Sequence, residues 1–215
     1  MNKIFLESCI DTLNKNIEYD YIFFSPPDYD ELNYNPKKDK LRYMGFLREL
    51  FHKLDSDKVI TIVVSDRKFN SGIIPKHSII INIMNDLGYK YVSQKIWCKS
   101  FKYNMYRLNY AFIMTFSKSK CKQKYTNEYR IDVWNYKQKS YKGYTYNMPV
   151  KVAQICIENF TNKNDIVYDP FMGVGTTAIA SLNSNRKFLG SEIDETTYNL
   201  AKERIKNYSG GEQWF

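Results

Sequence analysis

The sequence predicts an α/β protein whose sheet is covered by helices on both faces. Short apolar runs of strand length alternate along the chain with segments whose apolar residues recur at helical spacing. Two of these runs end abruptly in loops built from prolines or glycines, the punctuation expected where an open sheet binds a ligand beyond its strand ends. At 215 residues, with no prominent Gly/Ser linker and no internal repeat, the chain suits one domain spanning 1–215.

Each element follows from its own pattern. Tyr21 to Phe24 is an apolar strand. Leu41 to Leu54 carries apolar residues at 41, 44, 47, 50, 51 and 54, the face of a helix packed on a sheet. Val59 to Val64 is a continuous β-branched run, as in strands buried on both sides. Ser78 to Leu87 repeats the amphipathic pattern and is stopped by Gly88. Tyr91 to Trp97 and Tyr110 to Phe116 read as paired strands, and Val150 to Phe160 as a helix that begins just after Pro149. Asp165 to Tyr168 is a short buried strand, and Ala178 to Leu182 supplies strong helix formers. A strand over Lys187 to Glu192 and a terminal helix over Glu195 to Asn207 complete the alternation.

Two loops carry chemistry. Asp169-Pro170-Phe171-Met172-Gly173-Val174-Gly175-Thr176-Thr177 leads a strand through a glycine turn into a helix, whose first backbone N–H groups point back at the loop. Gly173 and Gly175 let a ligand approach the backbone closely. Glu192 lies roughly 20 residues past the glycines, the spacing at which a carboxylate meets ribose hydroxyls in nucleotide-binding βαβ units. Asp169 also suits a strand-end cap, and Thr176 and Thr177 a helix N-cap pair. The second loop, Ser25-Pro26-Pro27-Asp28-Tyr29, ends the first strand. Its prolines hold an extended backbone and remove two N–H donors, which leaves carbonyls and the Ser25 hydroxyl as acceptors suited to an amine.

Together these residues resemble the S-adenosylmethionine-dependent amino-methyltransferases of DNA, with their D-P-F-x-G-x-G-T-T cofactor loop and (S/D/N)-P-P-(Y/F/W) catalytic loop. The resemblance implies a Rossmann-like methyltransferase sheet in the β-class order, permuted so that the catalytic loop precedes the cofactor loop. It implies S-adenosylmethionine as cofactor, held by Asp169, Pro170, Phe171, Gly173, Gly175, Thr176 and Thr177, with Glu192 on the ribose. Pro149 falls in the stretch before the cofactor loop, and Ser8 stands where family members often carry an Asp that touches the adenine. The implied reaction is methyl transfer to an exocyclic base amine, with Ser25 and the Pro26 carbonyl binding the amine. Cytosine is favoured over adenine, because Ser-Pro-Pro is the more usual cytosine variant. The family aromatic is replaced by Asp28, so Tyr29 is expected to stack on the extruded base, with Asp28 as a polar contact. The region 117–148 is where a reduced target-recognition segment is expected.

Composition narrows the classes further. Cys9, Cys98, Cys121 and Cys156 form no C-x-x-C pair and have only His52 and His77 to assist, which argues against zinc and against a disulfide framework. No Pro-Cys nucleophile motif is present, which argues against carbon-5 methylation of cytosine. No run approaches transmembrane length and no signal peptide is visible, so an intracellular protein without a membrane partner is expected. The net charge of +9 fits a polyanion partner. Cations interleave with aromatics in Lys99 to Arg107 and again in Lys137 to Tyr144, a pattern that holds phosphates while rings stack on bases. DNA is the expected partner, single- or double-stranded, with RNA and a homodimer as further possibilities. A catalytically silent subunit of this fold is the alternative from a different class.

Overall fold

The computed structural model describes residues 2–36, 38–54, 56–69, 72–99 and 108–208. Strands β1 (Lys3–Leu6) and β2 (Tyr21–Phe24) flank the short helix α1 (Cys9–Leu13). Helix α2 (Lys40–Lys53) leads to β3 (Val59–Val64), and a small hairpin of β4 (Arg67–Phe69) and β5 (Gly72–Ile74) precedes α3 (Lys76–Asp86). Then come β6 (Lys90–Cys98), β7 (Tyr110–Ser117), α4 (Asn127–Arg130), β8 (Val133–Asn135) and the hairpin of β9 (Lys139–Tyr141) and β10 (Tyr144–Asn147). Helix α5 (Val150–Phe160), β11 (Ile166–Asp169), α6 (Thr176–Asn183), β12 (Lys187–Glu192) and α7 (Glu195–Lys206) close the chain.

Eight strands form one sheet in the order β1-β12-β11-β2-β3-β7-β6-β8. The first five of that order run parallel, β7 is antiparallel to β3 and to β6, and β8 is parallel to β6. Helix α2 links β2 to β3 on one side, whereas α6 links β11 to β12 on the other. Strand order therefore reverses between β2 and β11, the kind of switch point beyond whose carboxyl ends open sheets bind ligands. The register sets Val167 opposite Tyr21 and Tyr168 opposite Ile22.

Alternation along β2 divides the core. Ile22 and Phe24 pack with Leu47, Leu50, Phe51, Ile80 and Ile83 on the face covered by α2 and α3. Tyr21 and Phe23 pack with Val152, Ala153, Ile157 and Ala180 on the opposite face, under α5 and α6. All four β2 residues are fully buried, each worth roughly 1.5–3 kcal/mol relative to an exposed side chain. Such a strand holds the loop that follows it on a rigid base.

The expected elements are present with shifts of one or two residues at their ends, and α5 matches its expected bounds. Strands β1, β4, β5, β8, β9 and β10 and helices α1 and α4 are additional; each has five residues or fewer, too few to show a period. The α2 face is rotated from the expected one: Leu41 is 81% exposed, and Tyr43 is buried in its place. Among the described residues no helix is long and apolar enough to cross a membrane, no His/Cys/Asp/Glu cluster is able to hold a metal ion, and the four cysteines are free.

Candidate active site

The loop after β2 is gripped from below and from the side. Below it, the buried Tyr43 hydroxyl donates to the Pro27 carbonyl at 3.1 Å. The Tyr29 ring stacks on Tyr43 at 4.2 Å between centroids, 24° from parallel, and is itself fully buried. Burial pushes the Tyr29 phenol up to about 12 and raises Tyr43 well above the ordinary tyrosine value. The Tyr29 ring, expected to stack on an extruded base, thus lies buried against Tyr43. A phenol ring gains more by packing on Tyr43 in the α2 face than by standing in water, so the chain turns it inward.

From the side, the Asp28 carboxylate meets Lys76 Nζ at 3.0 Å and Arg67 Nη1 at 3.5 Å. Its Oδ1 also accepts from the Tyr29 amide at 2.8 Å, and Arg67 makes a two-pronged bond to Asp30 at 2.7 and 3.0 Å. Burial works to raise the Asp28 pKa, but Lys76, the Tyr29 amide and Arg67 together overcome it and hold the carboxyl below its ordinary value. The Lys76 side chain is only 5% exposed. Lys76 and Arg67, at the start of α3 and in β4, were not among the expected site residues. A carboxylate in a loop that follows a buried strand needs a cation, and that requirement was the available signal.

Ser25, Pro26 and Asp28 line a cleft of about 470 Å³, within the range of small-ligand sites. Its other walls come from β3, from Lys76, and from Trp97 and Met148. Trp97 is fixed by a bond from its Nε1 to the Tyr136 carbonyl at 2.7 Å. One residue of each cation-aromatic stretch reaches this cleft: Lys99 and Gln138 both line it, and the Gln138 amide donates to the Lys99 carbonyl at 3.4 Å. Of the first stretch, 100–107 lies outside the described residues. The 117–148 segment divides in space, since β7, antiparallel to β3, ends at the opposite end of the strands and only the part after β8 returns to the cleft.

The loop after β11 is the second half of the site. Asp169 is buried, and its carboxylate accepts from the Phe171 amide at 2.8 Å and from the Thr177 hydroxyl at 2.5 Å. Burial lifts its pKa to about 7 against those two bonds. Pro170 is buried beside it, and the Phe171 ring reaches Phe24 at 5.8 Å, which joins the two loops. Gly173 and Gly175 both take positive φ, 54° and 83°, so the turn requires them. Gly175 is the N-cap of α6, and neither threonine caps it. Thr177 instead bonds Asp169, and the Thr176 hydroxyl accepts from Arg204.

Glu192 ends β12 beside this loop. Its Oε2 accepts from the Gly173 amide at 2.8 Å and its Oε1 from the Asp194 amide at 2.9 Å, while burial raises its pKa against those bonds. Register pairs Glu192 with Leu6, so Ser8 comes to the same end of the sheet, where its hydroxyl caps α1 by accepting from the Asp11 amide at 3.1 Å. Pro149 is the buried N-cap residue of α5, one position past the cleft-lining Met148. The arrangement suits a nucleoside carrying a small zwitterion. A Cβ added to Gly173 would meet nothing nearer than Phe171 O at 3.9 Å, so the flank of the turn is open, and a carboxylate stands across from it.

Comparison with known proteins agrees with this geometry. A family model described as DNA methylase, N6_N4_Mtase, matches residues 19–203. The orphan methyltransferase M.BamHII of Bacillus amyloliquefaciens is 48% identical over 60 residues, 28% of this chain and 23% of that protein. The chain spans about half, at most, of the length of the first curated relatives it matches. Among solved structures, PvuII DNA methyltransferase (cytosine-N4-specific) superposes with a TM-score of 0.82 at 13% identity, covering 97% of this chain and 88% of that one. TTHA0409 of Thermus thermophilus, complexed with S-adenosyl-L-methionine, gives 0.74 at 22% identity, covering 95% and 93%. These two likenesses establish the Rossmann-like methyltransferase fold, and with the match over 19–203 they show that the chain belongs to the N6_N4_Mtase family of DNA methylases.

Proposed function

We propose that the chain transfers a methyl group from S-adenosylmethionine to an exocyclic amino group of a DNA base, with cytosine favoured over adenine. The observation that carries this reading is the adjacency of β2 and β11, which sends the Ser25 and Asp169 loops out of the same end of the sheet as neighbours. S-adenosylmethionine, when bound, supplies an electrophilic methyl group. In this reading the Asp169 to Thr177 loop, Glu192, Ser8 and Pro149 hold it, with Glu192 on the ribose hydroxyls.

The amine enters the cleft. Its lone pair is delocalised into the ring, so it is a poor nucleophile. The Ser25 hydroxyl and the Pro26 carbonyl accept its hydrogens, draw the nitrogen toward tetrahedral geometry and free the pair. Positioning the nitrogen in line with the methyl group is the protein's largest contribution; the N–C bond would form as the C–S bond breaks, the neutral thioether would leave, and the methylated nitrogen would lose one proton to solvent, with no covalent enzyme intermediate. Asp28, held below its ordinary pKa by its cations, is a weak base, and its part is to hold the loop. The cytosine preference rests on the Ser-Pro-Pro sequence and agrees with the specificity named for the PvuII enzyme.

Incubation with labelled cofactor and unmodified DNA, followed by digestion to nucleosides, tests the proposal. Label on the cytosine N4 amine is expected and none on carbon-5. Label on adenine would replace the base but keep the mechanism; label found only with RNA would replace the substrate class. The pairing of Asp28 with Lys76 and Arg67 favours a second reading, a catalytically silent subunit of this fold that binds nucleic acid or activates a partner. Cofactor binding with no labelled nucleoside would select it.

A further inference from the structure

We propose that Arg204 is a positioning residue for the cofactor loop, and that Tyr141 seats the β9–β10 hairpin on it, so that hairpin and loop respond to one another. The proposal rests on the reading of 169–177 as the S-adenosylmethionine loop.

Arg204 lies in the last turn of α7 and is 5% exposed. A guanidinium at such depth is costly unless it is hydrogen-bonded. Here Nη1 donates to the Val174 carbonyl at 3.1 Å and to the Thr176 hydroxyl at 3.3 Å, two residues that bracket the Gly175 turn. Helix α7 also packs on that turn: a Cβ added to Gly175 would meet Ile205 Cδ1 at 3.5 Å and Ala201 Cβ at 3.6 Å. The loop's shape is therefore set by a helix that follows it in the chain.

The guanidinium also meets the hairpin. The Tyr141 ring centroid lies 5.0 Å from the Arg204 guanidinium carbon, within cation–π range. One residue on, Lys142 pairs with Glu203 at 2.5 Å. That second pair is half-exposed on both sides and contributes little by itself, so the ring carries the link. The hairpin begins next to Gln138 in the cleft wall, hence nucleic acid held at the cleft mouth bears on the same Arg204 that holds the cofactor loop. Coupling of this kind is reciprocal. Cofactor in the loop is expected to steady the hairpin, and a seated hairpin to tighten the loop.

Titration calorimetry with S-adenosylmethionine and amide hydrogen exchange of the full chain test this. Arg204→Met, which keeps the stem and removes the charge, should weaken cofactor affinity about tenfold or more, the scale of lost charge-assisted hydrogen bonds. Tyr141→Leu should weaken it about threefold, with Tyr141→Phe restoring most of the loss because the ring still covers the cation. In the parent, cofactor should slow exchange across 139–141, and in Tyr141→Leu it should not. Should Arg204→Met fail to fold, the Tyr141 pair and the exchange pattern decide alone. Unchanged affinity in a folded Arg204→Met, or hairpin exchange indifferent to cofactor in the parent, overturns the coupling while leaving the cofactor reading intact. A parent that binds no S-adenosylmethionine removes both.

Discussion

Tyr43 reaches from α2 to the Ser25–Tyr29 loop twice over, stacking its ring on Tyr29 and donating its hydroxyl to the Pro27 carbonyl. The aromatic that follows Ser-Pro-Pro is thereby part of the floor under the loop. Truncating it should act first on stability: Tyr29→Ala is expected to cost about 3–5 kcal/mol, as for other buried aromatics. Tyr43→Phe keeps the stack and loses only the hydrogen bond, a cost of about 0.5–1.5 kcal/mol. Denaturant unfolding of both variants checks this. A Tyr29→Ala protein as stable as its parent but unable to engage DNA would return the ring to the base.

A double-mutant cycle examines the side grip. Asp28→Asn leaves the buried Lys76 ammonium without its carboxylate, and about 3 kcal/mol of stability should be lost. Lys76→Met in the same background should recover most of that loss, because an uncharged pair no longer needs compensation. Asp28→Tyr, which restores the aromatic of the family motif, likewise strands Lys76, while Arg67 keeps Asp30, and should destabilise. If Asp28→Tyr instead gains methyl transfer at no cost in stability, the pair is dispensable and the silent-subunit reading is favoured.

Glu192 should govern cofactor affinity. Replacing it by Ala removes the acceptor of both the Gly173 and Asp194 amides as well as the proposed ribose contact. Calorimetry is expected to show a weakening of about 1.5–3 kcal/mol. Glu192→Gln keeps one oxygen acceptor and should fall between Ala and the parent. Equal affinity in all three would take Glu192 out of the site.

Much of this architecture was readable from the chain because its major elements are long or strongly patterned. The β-branched run of β3 and the α5 helix needed no tertiary context. The glycines at 173 and 175 announced a turn that only positive φ permits. What escaped was set by partners distant in sequence. Tyr43 takes a core position stacked on Tyr29, with Pro27, 16 residues earlier, accepting its hydroxyl; the spacing of apolar residues pointed instead to Leu41, which is exposed. Tyr29 turns inward to stack on Tyr43, a partner 14 residues away in the chain. Lys76 reads as one more surface lysine until Asp28 is brought to it by the fold. Thr176 and Thr177 look like caps by position, yet Arg204 and Asp169 claim their hydroxyls.

Asp169 makes a pH-dependent contribution whose direction is opposite to that of an ordinary paired carboxylate. Burial raises its folded-state pKa to about 7, above its value in the unfolded chain, while bonds from Thr177 and the Phe171 amide pull the other way. The protonated form is therefore favoured by folding. Its stabilisation is complete below the unfolded carboxylate pKa and is lost as pH rises toward 7. Glu192, also raised by burial, adds to the same trend. Asp28, whose pKa is lowered, acts with the opposite sign and below the ordinary carboxylate range, so it does not mask the effect. Asp169→Asn removes the titrating group. Unfolding free energies measured from pH 5 to 8 should fall more steeply in the parent than in Asp169→Asn, by on the order of 2 kcal/mol across the range. Parallel curves would mean that Asp169 is ionised throughout, with its two donors outweighing burial, and the cofactor loop would then carry a full negative charge at its base.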